Sequence, residues 1–365
     1  MSTPQDIEYA AQLIREGKVV AFPTETVYGL GANALNAMAV ARIYELKERP
    51  SFDPLIVHIA SLEQLHSLTN VDDRRVKLLA DRFWPGPLTI ILPKSEQIPD
   101  IVTSGLQTVG IRMPDNPIAL ELIRRSGCPI AAPSANKFGQ LSPTLARHVA
   151  KQLPEVDFIL DGGPAKVGIE STIISLNKHG FEILRHGLIT REEIEQVVPY
   201  YALPDEEKTN IVSPGMLKSH YSPGKPIYIL DEEIPSPQSG NQLTNSGNQL
   251  TQSGSQLPNP DNLLTQSGSQ LPIPIQSDAT SDNRFTSDRS RIGLLSYKGN
   301  DTEGYGHVEI LSPDGNLRSC AVRLFAAIHR LEEADVDFIL AQPVPEQGVG
   351  LAVMDKLRKA AYRYL

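Results

Sequence analysis

The chain has 365 residues, 40% of them hydrophobic, enough for two globular domains that each bury a core. Its 34 Lys and Arg against 43 Asp and Glu give a net charge of −9, which argues against a surface built to grip nucleic acid throughout and leaves room for a local basic pocket. Cys128 and Cys320 lie far apart without metal-ligand spacing, so they support neither a disulfide framework nor a zinc site, and a reducing cytoplasm fits best.

Residues 1–18 are polar and helix-like, and no run approaches the roughly 18 apolar residues of a membrane span, so the expectation is a soluble, cytoplasmic protein. Ile7, Ala10, Ala11, Leu13 and Ile14 follow helical spacing, and Gly17 stops that helix before a strand over 19–22. The strand runs out into Phe22-Pro23-Thr24-Glu25-Thr26-Val27-Tyr28-Gly29-Leu30-Gly31-Ala32-Asn33-Ala34, a passage dense in hydroxyls and glycines, read as strand exit and loop. Alternation continues with helices over 37–46, 62–68, 73–83, 118–126 and 144–152. The intervening strands are 55–59, 88–92, 108–112, 130–132, 158–161, 171–176 and 181–185. Several of these strands are short and bounded by proline, which predicts an α/β domain on a twisted mixed sheet and not a regular doubly wound one.

From Pro204 to Pro226 the chain turns irregular, with Ser213-Pro214-Gly215-Met216 and His220-Tyr221-Ser222-Pro223-Gly224, which reads as an ordered linker carrying aromatic anchors. A second core starts at Ile227, with strands over 226–230, 291–297, 308–311 and 336–341 and helices over 316–333 and 349–364. Between its first two strands, residues 231–288 repeat Ser-Gly-x-Gln-Leu with one apolar position per unit, too few for a coiled-coil seam. They are read as a disordered insertion in a surface loop, which closure entropy tolerates. The expected domains are therefore 1–205, a linker over 206–225, and 226–365. Gly348-Val349-Gly350 is read as a plain helix-start turn, because two glycines alone do not make a phosphate loop.

Hydroxyl and basic groups recur at strand ends and loops of the first domain: Thr24 and Thr26; Lys47 and Arg49; Thr108 and Arg112; Ser134, Asn136 and Ser142; Ser171, Thr172 and Arg185. Guanidinium groups match phosphate oxygens in bidentate fashion, with an ammonium as a compact point charge beside them, so a polyphosphate is the natural ligand. His58, alone at the end of an apolar strand, reads by itself as a structural histidine. No Gly-x-Ser-x-Gly elbow and no Gly-x-x-x-x-Gly-Lys-Ser/Thr loop is present, which excludes a serine-triad elbow and a P-loop.

Pro23-Thr24-Glu25-Thr26-Val27-Tyr28-Gly29-Leu30, Lys47-x-Arg49-Pro50, Pro54-Leu55-Ile56-Val57-His58, Trp84-Pro85-Gly86-Pro87-Leu88-Thr89, Val109-Gly110-Ile111-Arg112-Met113-Pro114, Ala132-Pro133-Ser134-Ala135-Asn136 and Glu170-Ser171-Thr172-Ile173 together resemble the YrdC-like family. The linker motifs are similar to those of its two-domain members, the threonylcarbamoyl-AMP synthases. The resemblance runs from about residue 5 to the C-terminus outside the insertion. It implies a twisted α/β sheet with a deep cationic cavity, followed by a small Rossmann-like domain. It also implies condensation of L-threonine, bicarbonate and ATP to threonylcarbamoyl-adenylate with release of pyrophosphate, for modification of the tRNA adenosine beside the anticodon. Carried over by motif, Thr26, His58, Arg112 and Ser171 hold threonine with the backbone of Ala132. Arg49, Thr108, Ser134, Ser142 and Arg185 hold ATP, Tyr221 closes over the nucleotide, and Lys47 lies near the phosphates.

Asp53 stands where members of the family commonly have Asn, and a carboxylate there repels a triphosphate unless Mg2+, expected with the ATP, or a neighbouring cation intervenes. No covalent residue is required by this chemistry, and Arg49→Ala is expected to stop turnover with folding retained. The alternative is an RNA-binding or ribosome-associated module without catalysis, against which the acidity and the absence of an RNP-type aromatic platform weigh. Relatives that transfer carbamoyl groups in hydrogenase maturation carry zinc and acylphosphatase-like modules that this sequence lacks. The expected partners are thus ATP, threonine, bicarbonate and the downstream tRNA threonylcarbamoyl-transfer machinery, with weak or no direct nucleic-acid binding.

Overall fold

A computed structural model describes residues 1–204, 220–230 and 289–362. Its first part runs α1 (Pro4–Arg15), β1 (Val20–Phe22), β2 (Gly29–Asn33), α2 (Ala37–Lys47), β3 (Ile56–His58), α3 (Leu62–Leu68), α4 (Arg74–Phe83), β4 (Leu88–Pro93), α5 (Asp100–Thr103) and β5 (Thr108–Arg112). It continues through α6 (Pro117–Ser126), β6 (Ile130–Ala131), α7 (Ala146–Gln152), β7 (Phe158–Ile159), β8 (Thr172–Leu176), β9 (Phe181–Arg185) and α8 (Arg191–Glu195). Side chains of Thr3, Asn36, Ser61, Asp73 and Asn116 accept from first-turn N–H groups at the starts of α1, α2, α3, α4 and α6, satisfying donors that have no partner inside the helix.

The nine strands of this part form one mixed sheet in the order β7-β1-β2-β6-β3-β5-β4-β8-β9. Parallel pairs such as β3 with β5 alternate with antiparallel ones such as β4 with β5, as the short proline-bounded strands lead one to expect. On one side of the sheet, Ile7, Ala11 and Ile14 of α1 and Leu122 and Ile123 of α6 share an apolar cluster with Phe22 and Ile130.

Besides the short helix α5, which the sequence reading does not contain, two elements depart from it for identifiable reasons. The passage after Phe22 is not only loop: Gly29–Asn33 pairs with β1, and its glycines are what let it do so. A Cβ on Gly31 would lie 2.6 Å from a ring carbon of Phe22 and 2.7 Å from Ile130, so the strand is glycine-rich because the Phe22 ring covers it. Helix α8 was signalled by Thr190 and Glu193, which form a reciprocal capping box.

The C-terminal part has β10 (Ile227–Ile229), β11 (Ile292–Ser296), β12 (His307–Ile310), α9 (Leu317–Glu333), β13 (Phe338–Ala341) and α10 (Val349–Ala361). Its four strands are paired in parallel in the order β10-β13-β11-β12. Gly348, at φ +50°, caps α10, and a Cβ on Gly350 would meet the Pro345 carbonyl at 1.9 Å, so both glycines serve the turn. The Ser213-Pro214-Gly215-Met216 motif, most of the expected linker and the repeat insertion over 231–288 lie outside the described residues.

Both parts contribute to one seam. Val27, Leu141, Val167 and Ile169 belong to the same apolar cluster as Tyr221, Leu324, Phe325 and Ile328. Gly168, at φ +76°, passes so close to α9 that a Cβ would lie 2.2 Å from the Val322 carbonyl oxygen. Beside it the rings of His148 from α7 and His329 from α9 stack at 3.8 Å, both buried. Burial, and then the His329 neighbour, pull His148 from its ordinary 6.5 down to about 3. Burial also lowers His329, against a hydrogen bond with the Ser142 carbonyl that favours its charged form.

His148 is therefore neutral in the folded protein while the unfolded chain titrates normally. Its contribution is complete above about pH 6.5 and is lost as pH falls toward 3. We expect His148→Phe to flatten the acid limb of a pH-melting series, removing on the order of 1 kcal/mol of pH-dependent loss by pH 5.5. An unchanged acid limb would show that this stack does not titrate on unfolding.

Candidate active site

Register brings the polar residues of the first part to one place. Parallel pairing sets His58 opposite Arg112 at the exits of β3 and β5. Antiparallel pairing sets Ile173 opposite Arg185, so Ser171, just before β8, lies beside the end of β9. A bridge between Gly29 and Ser134, and the Tyr28 and Leu30 N–H groups donating to the Pro143 and Pro133 carbonyls, fold the 133–143 loop against the start of β2. The resulting hollow is lined by Thr24, Thr26, Val27, Gly29, Arg49, Ile56, His58, Arg112, Ala132, Pro133, Ser134, Glu170, Ser171, Arg185, His220 and Tyr221.

Three guanidinium groups face this hollow, each held from behind. Arg112 donates from Nη1 to Thr26 Oγ1 at 3.0 Å and from Nε to the Gly86 carbonyl at 3.3 Å, and its Nη2 lies 2.6 Å from Glu25 Oε1. Arg49 donates to the carbonyls of Asp53 and Pro54 at 3.1 and 2.9 Å and pairs with the Asp53 carboxylate at 2.9 Å. Arg185 donates to the Ser171 carbonyl at 3.1 Å and hydroxyl at 3.0 Å. Such anchoring fixes the direction of each planar cation before a ligand arrives, which is what bidentate anion recognition needs.

His58 is buried edge-on to Phe22, and its Nδ1 has no hydrogen-bond partner among the described residues. Burial, then the Arg112 charge, pull it down to about 3, so it is a neutral imidazole at pH 7.

His220 and Tyr221 close the hollow from the far side of the linker. The Ser222 N–H donates to the Gly139 carbonyl and the His220 N–H to the Lys359 carbonyl, so this strap is tied to both parts. Tyr221 is fully buried, 5.2 Å from Phe325, and adopts φ +63°, a left-handed backbone unusual for an aromatic residue.

Over 364 residues the chain is 43% identical to the threonylcarbamoyl-AMP synthase of Bacillus subtilis, covering 97% of this chain and 92% of that protein. It belongs to the two-domain threonylcarbamoyl-AMP synthase family. The synthase of Pyrococcus abyssi is 39% identical over 98% of the chain and 95% of its own length. The crystal structure of P. abyssi Sua5 complexed with L-threonine superposes with a TM-score of 0.76 at 38% identity, covering 98% of this chain and 94% of that one. Family models match residues 12–187, under the description telomere recombination, and residues 189–362, as the threonylcarbamoyl-AMP synthase C-terminal domain.

Within this threonylcarbamoyl-AMP synthase relative, Thr26, Arg49, His58, Arg112, Ala132, Ser134, Ser171, Arg185 and Tyr221 share the wall of one hollow. Four other expected site residues do not line it. Lys47 is buried, and its Nζ donates to the Ser134 and Asn136 carbonyls at 2.6 and 2.5 Å. It therefore clamps the Ser134 loop from behind, and burial, then Arg49, push it well below the ordinary ammonium range. Asp53 is the counter-ion of Arg49, so the neighbouring cation that the sequence demanded is Arg49 itself. Burial raises the Asp53 carboxyl, and Arg49 opposes that shift. Ser142 stands behind the wall, donating to Glu170 Oε1 at 2.6 Å. Thr108 opens β5, some 13 Å along the strand from Arg112, and lines a separate small hollow with Leu55, Ile91 and Thr103.

Glu170 is a polar lining residue to which the sequence reading gave no role. It directly precedes Ser171 at a strand entry, which was the signal available, and among the described residues it is the acid that lines the hollow. Lys47→Met is expected to leave two buried carbonyls without a donor, at about 1–3 kcal/mol each. It should lower the melting temperature and raise the ATP KM together, checked by differential scanning fluorimetry and initial rates.

Proposed function

We propose that this protein condenses L-threonine, bicarbonate and ATP to threonylcarbamoyl-adenylate and pyrophosphate. The observation that carries this reading is one buried hollow in which three anchored guanidinium groups meet the hydroxyls of Thr26, Ser134 and Ser171, in a chain similar along its whole length to synthases of that name. Thr26, His58, Arg112, Ser171 and the Ala132 backbone form the threonine side; Arg49, Ser134, Arg185 and Tyr221 form the nucleotide side. A neutral His58 suits the first, because it sets no further positive charge against the ammonium of the amino acid.

The threonine ammonium loses a proton to solvent, the free amine attacks the bicarbonate carbon, water leaves, and an oxygen of the resulting carbamate attacks the α-phosphorus. The bond to the bridging oxygen breaks and pyrophosphate departs with the electron pair. Alignment and fixed cations lower this barrier, with Arg49 and Arg185 facing the developing charge, and no covalent enzyme intermediate is involved. Magnesium enters as part of the MgATP substrate. Such an ion needs one or two carboxylates besides phosphate oxygens, a demand that Glu170 suits, since Asp53 and Glu25 are committed to arginines.

The product serves threonylcarbamoyl transfer to the tRNA adenosine beside the anticodon, in the cytoplasm. Among the described residues no helix is long and apolar enough to cross a membrane. Incubation with the three substrates followed by mass identification of the product tests reaction and substrates together. Threonylcarbamoyl-adenylate and pyrophosphate are expected in equal amounts, and absence of the adenylate under conditions where both substrates bind overturns the reading.

A further inference from the structure

Helix α10 carries a lysine whose shortest polar contact lies in the other part of the molecule. The Lys356 side chain is 0% exposed, and burying an ammonium carries a heavy desolvation cost that a purely structural helix face has no reason to bear. Its Nζ donates to the His186 carbonyl at 2.6 Å and to Asp355 Oδ2 at 3.1 Å, and it lies 5.9 Å from the centre of the Tyr221 ring. Asp355 also has Lys359 at 2.9 Å, so it does not depend on Lys356 for a counter-ion. Burial lowers the Lys356 ammonium, Asp355 and Glu170 oppose that shift, and Arg185 adds to it, which locates Lys356 among the charges of the hollow's wall.

The carbonyl it grips belongs to the residue after Arg185, and the ring beside it is the one that closes the hollow. Lys356 thus reaches two of the nucleotide-side elements at once, the chain beside Arg185 and the Tyr221 ring. On the threonine side, Arg112 and Thr26 are held by Gly86, Glu25 and Thr24, all from the first part.

We propose that Lys356 is a positioning residue for the nucleotide, the group by which the C-terminal domain holds Arg185 and Tyr221 in place. The inference rests on the synthase reading above. Full-length Lys356→Met is compared with wild type by initial rates of pyrophosphate release, with ATP and threonine varied in turn, and by thermal melting. The expected result is an ATP KM raised about tenfold or more with the threonine KM within about twofold of wild type, a split that general loosening of the fold does not produce. An unchanged ATP KM, or both KM values rising together with a fall in melting temperature, overturns the proposal. Should Lys356→Met be insoluble, Lys356→Gln is judged by the same split. If wild type itself makes no adenylate, the functional reading falls and this proposal with it; an active wild type beside a variant of normal ATP KM sinks the proposal alone.

Discussion

Arg49→Ala is expected to cut turnover by about 10²- to 10³-fold, the loss seen when one fixed donor to a developing negative charge is removed. The sequence alone suggested that folding would be retained, and the structure adds a stability cost to that expectation. Arg49 and Asp53 form an ion pair with 3% and 4% of their side chains exposed. Removing one partner strands a buried carboxylate at a cost of about 3–5 kcal/mol. The two effects separate by adding Asp53→Asn: the double variant should recover most of the melting temperature and none of the turnover. Steady-state rates and thermal melts of the three proteins check this, and a double variant with near-normal activity would remove Arg49 from the reaction.

Cutting the chain after Pro204 is expected to raise the ATP KM by about tenfold or more while threonine still binds. The truncated protein loses His220 and Tyr221 from the wall of the hollow and Lys356 from behind it, whereas Thr26, His58 and Arg112 keep every contact described for them. It also bares Val27, Leu141, Val167 and Ile169, which are buried in a cluster shared with α9 and α10. Light scattering should therefore show self-association that the full chain does not. Separate calorimetric titrations of the two substrates measure the split, and a soluble truncated protein with full ATP affinity would deny the C-terminal domain any part in the site.

Most of the fold was legible because burial follows period. The strands that became β3, β4, β5, β8 and β9 and the helices that became α1, α2, α4, α6 and α9 read directly from their apolar spacing. Strand β2 did not, since its glycines are dictated by the Phe22 ring, a partner that local pattern does not reveal. At the site, residue types pointed to anion binding, and the motif resemblance named most of the wall. What the sequence could not give was who faces whom. Lys47, Asp53 and Ser142 have the chemistry of ligands, yet their polar atoms are spent on Ser134 and Asn136, Arg49, and Glu170 respectively. Thr108 and Arg112 sit close in sequence, but an extended strand sends them to opposite ends.

The backbone of Tyr221 has a bearing on closure of the hollow. Holding an L-residue in a left-handed conformation costs about 1–2 kcal/mol, which the burial of the ring against Phe325 offsets. Moving the ring out of the wall would release that strain and at the same time expose a side chain whose burial contributes about 1.5–3 kcal/mol, so the two terms oppose each other.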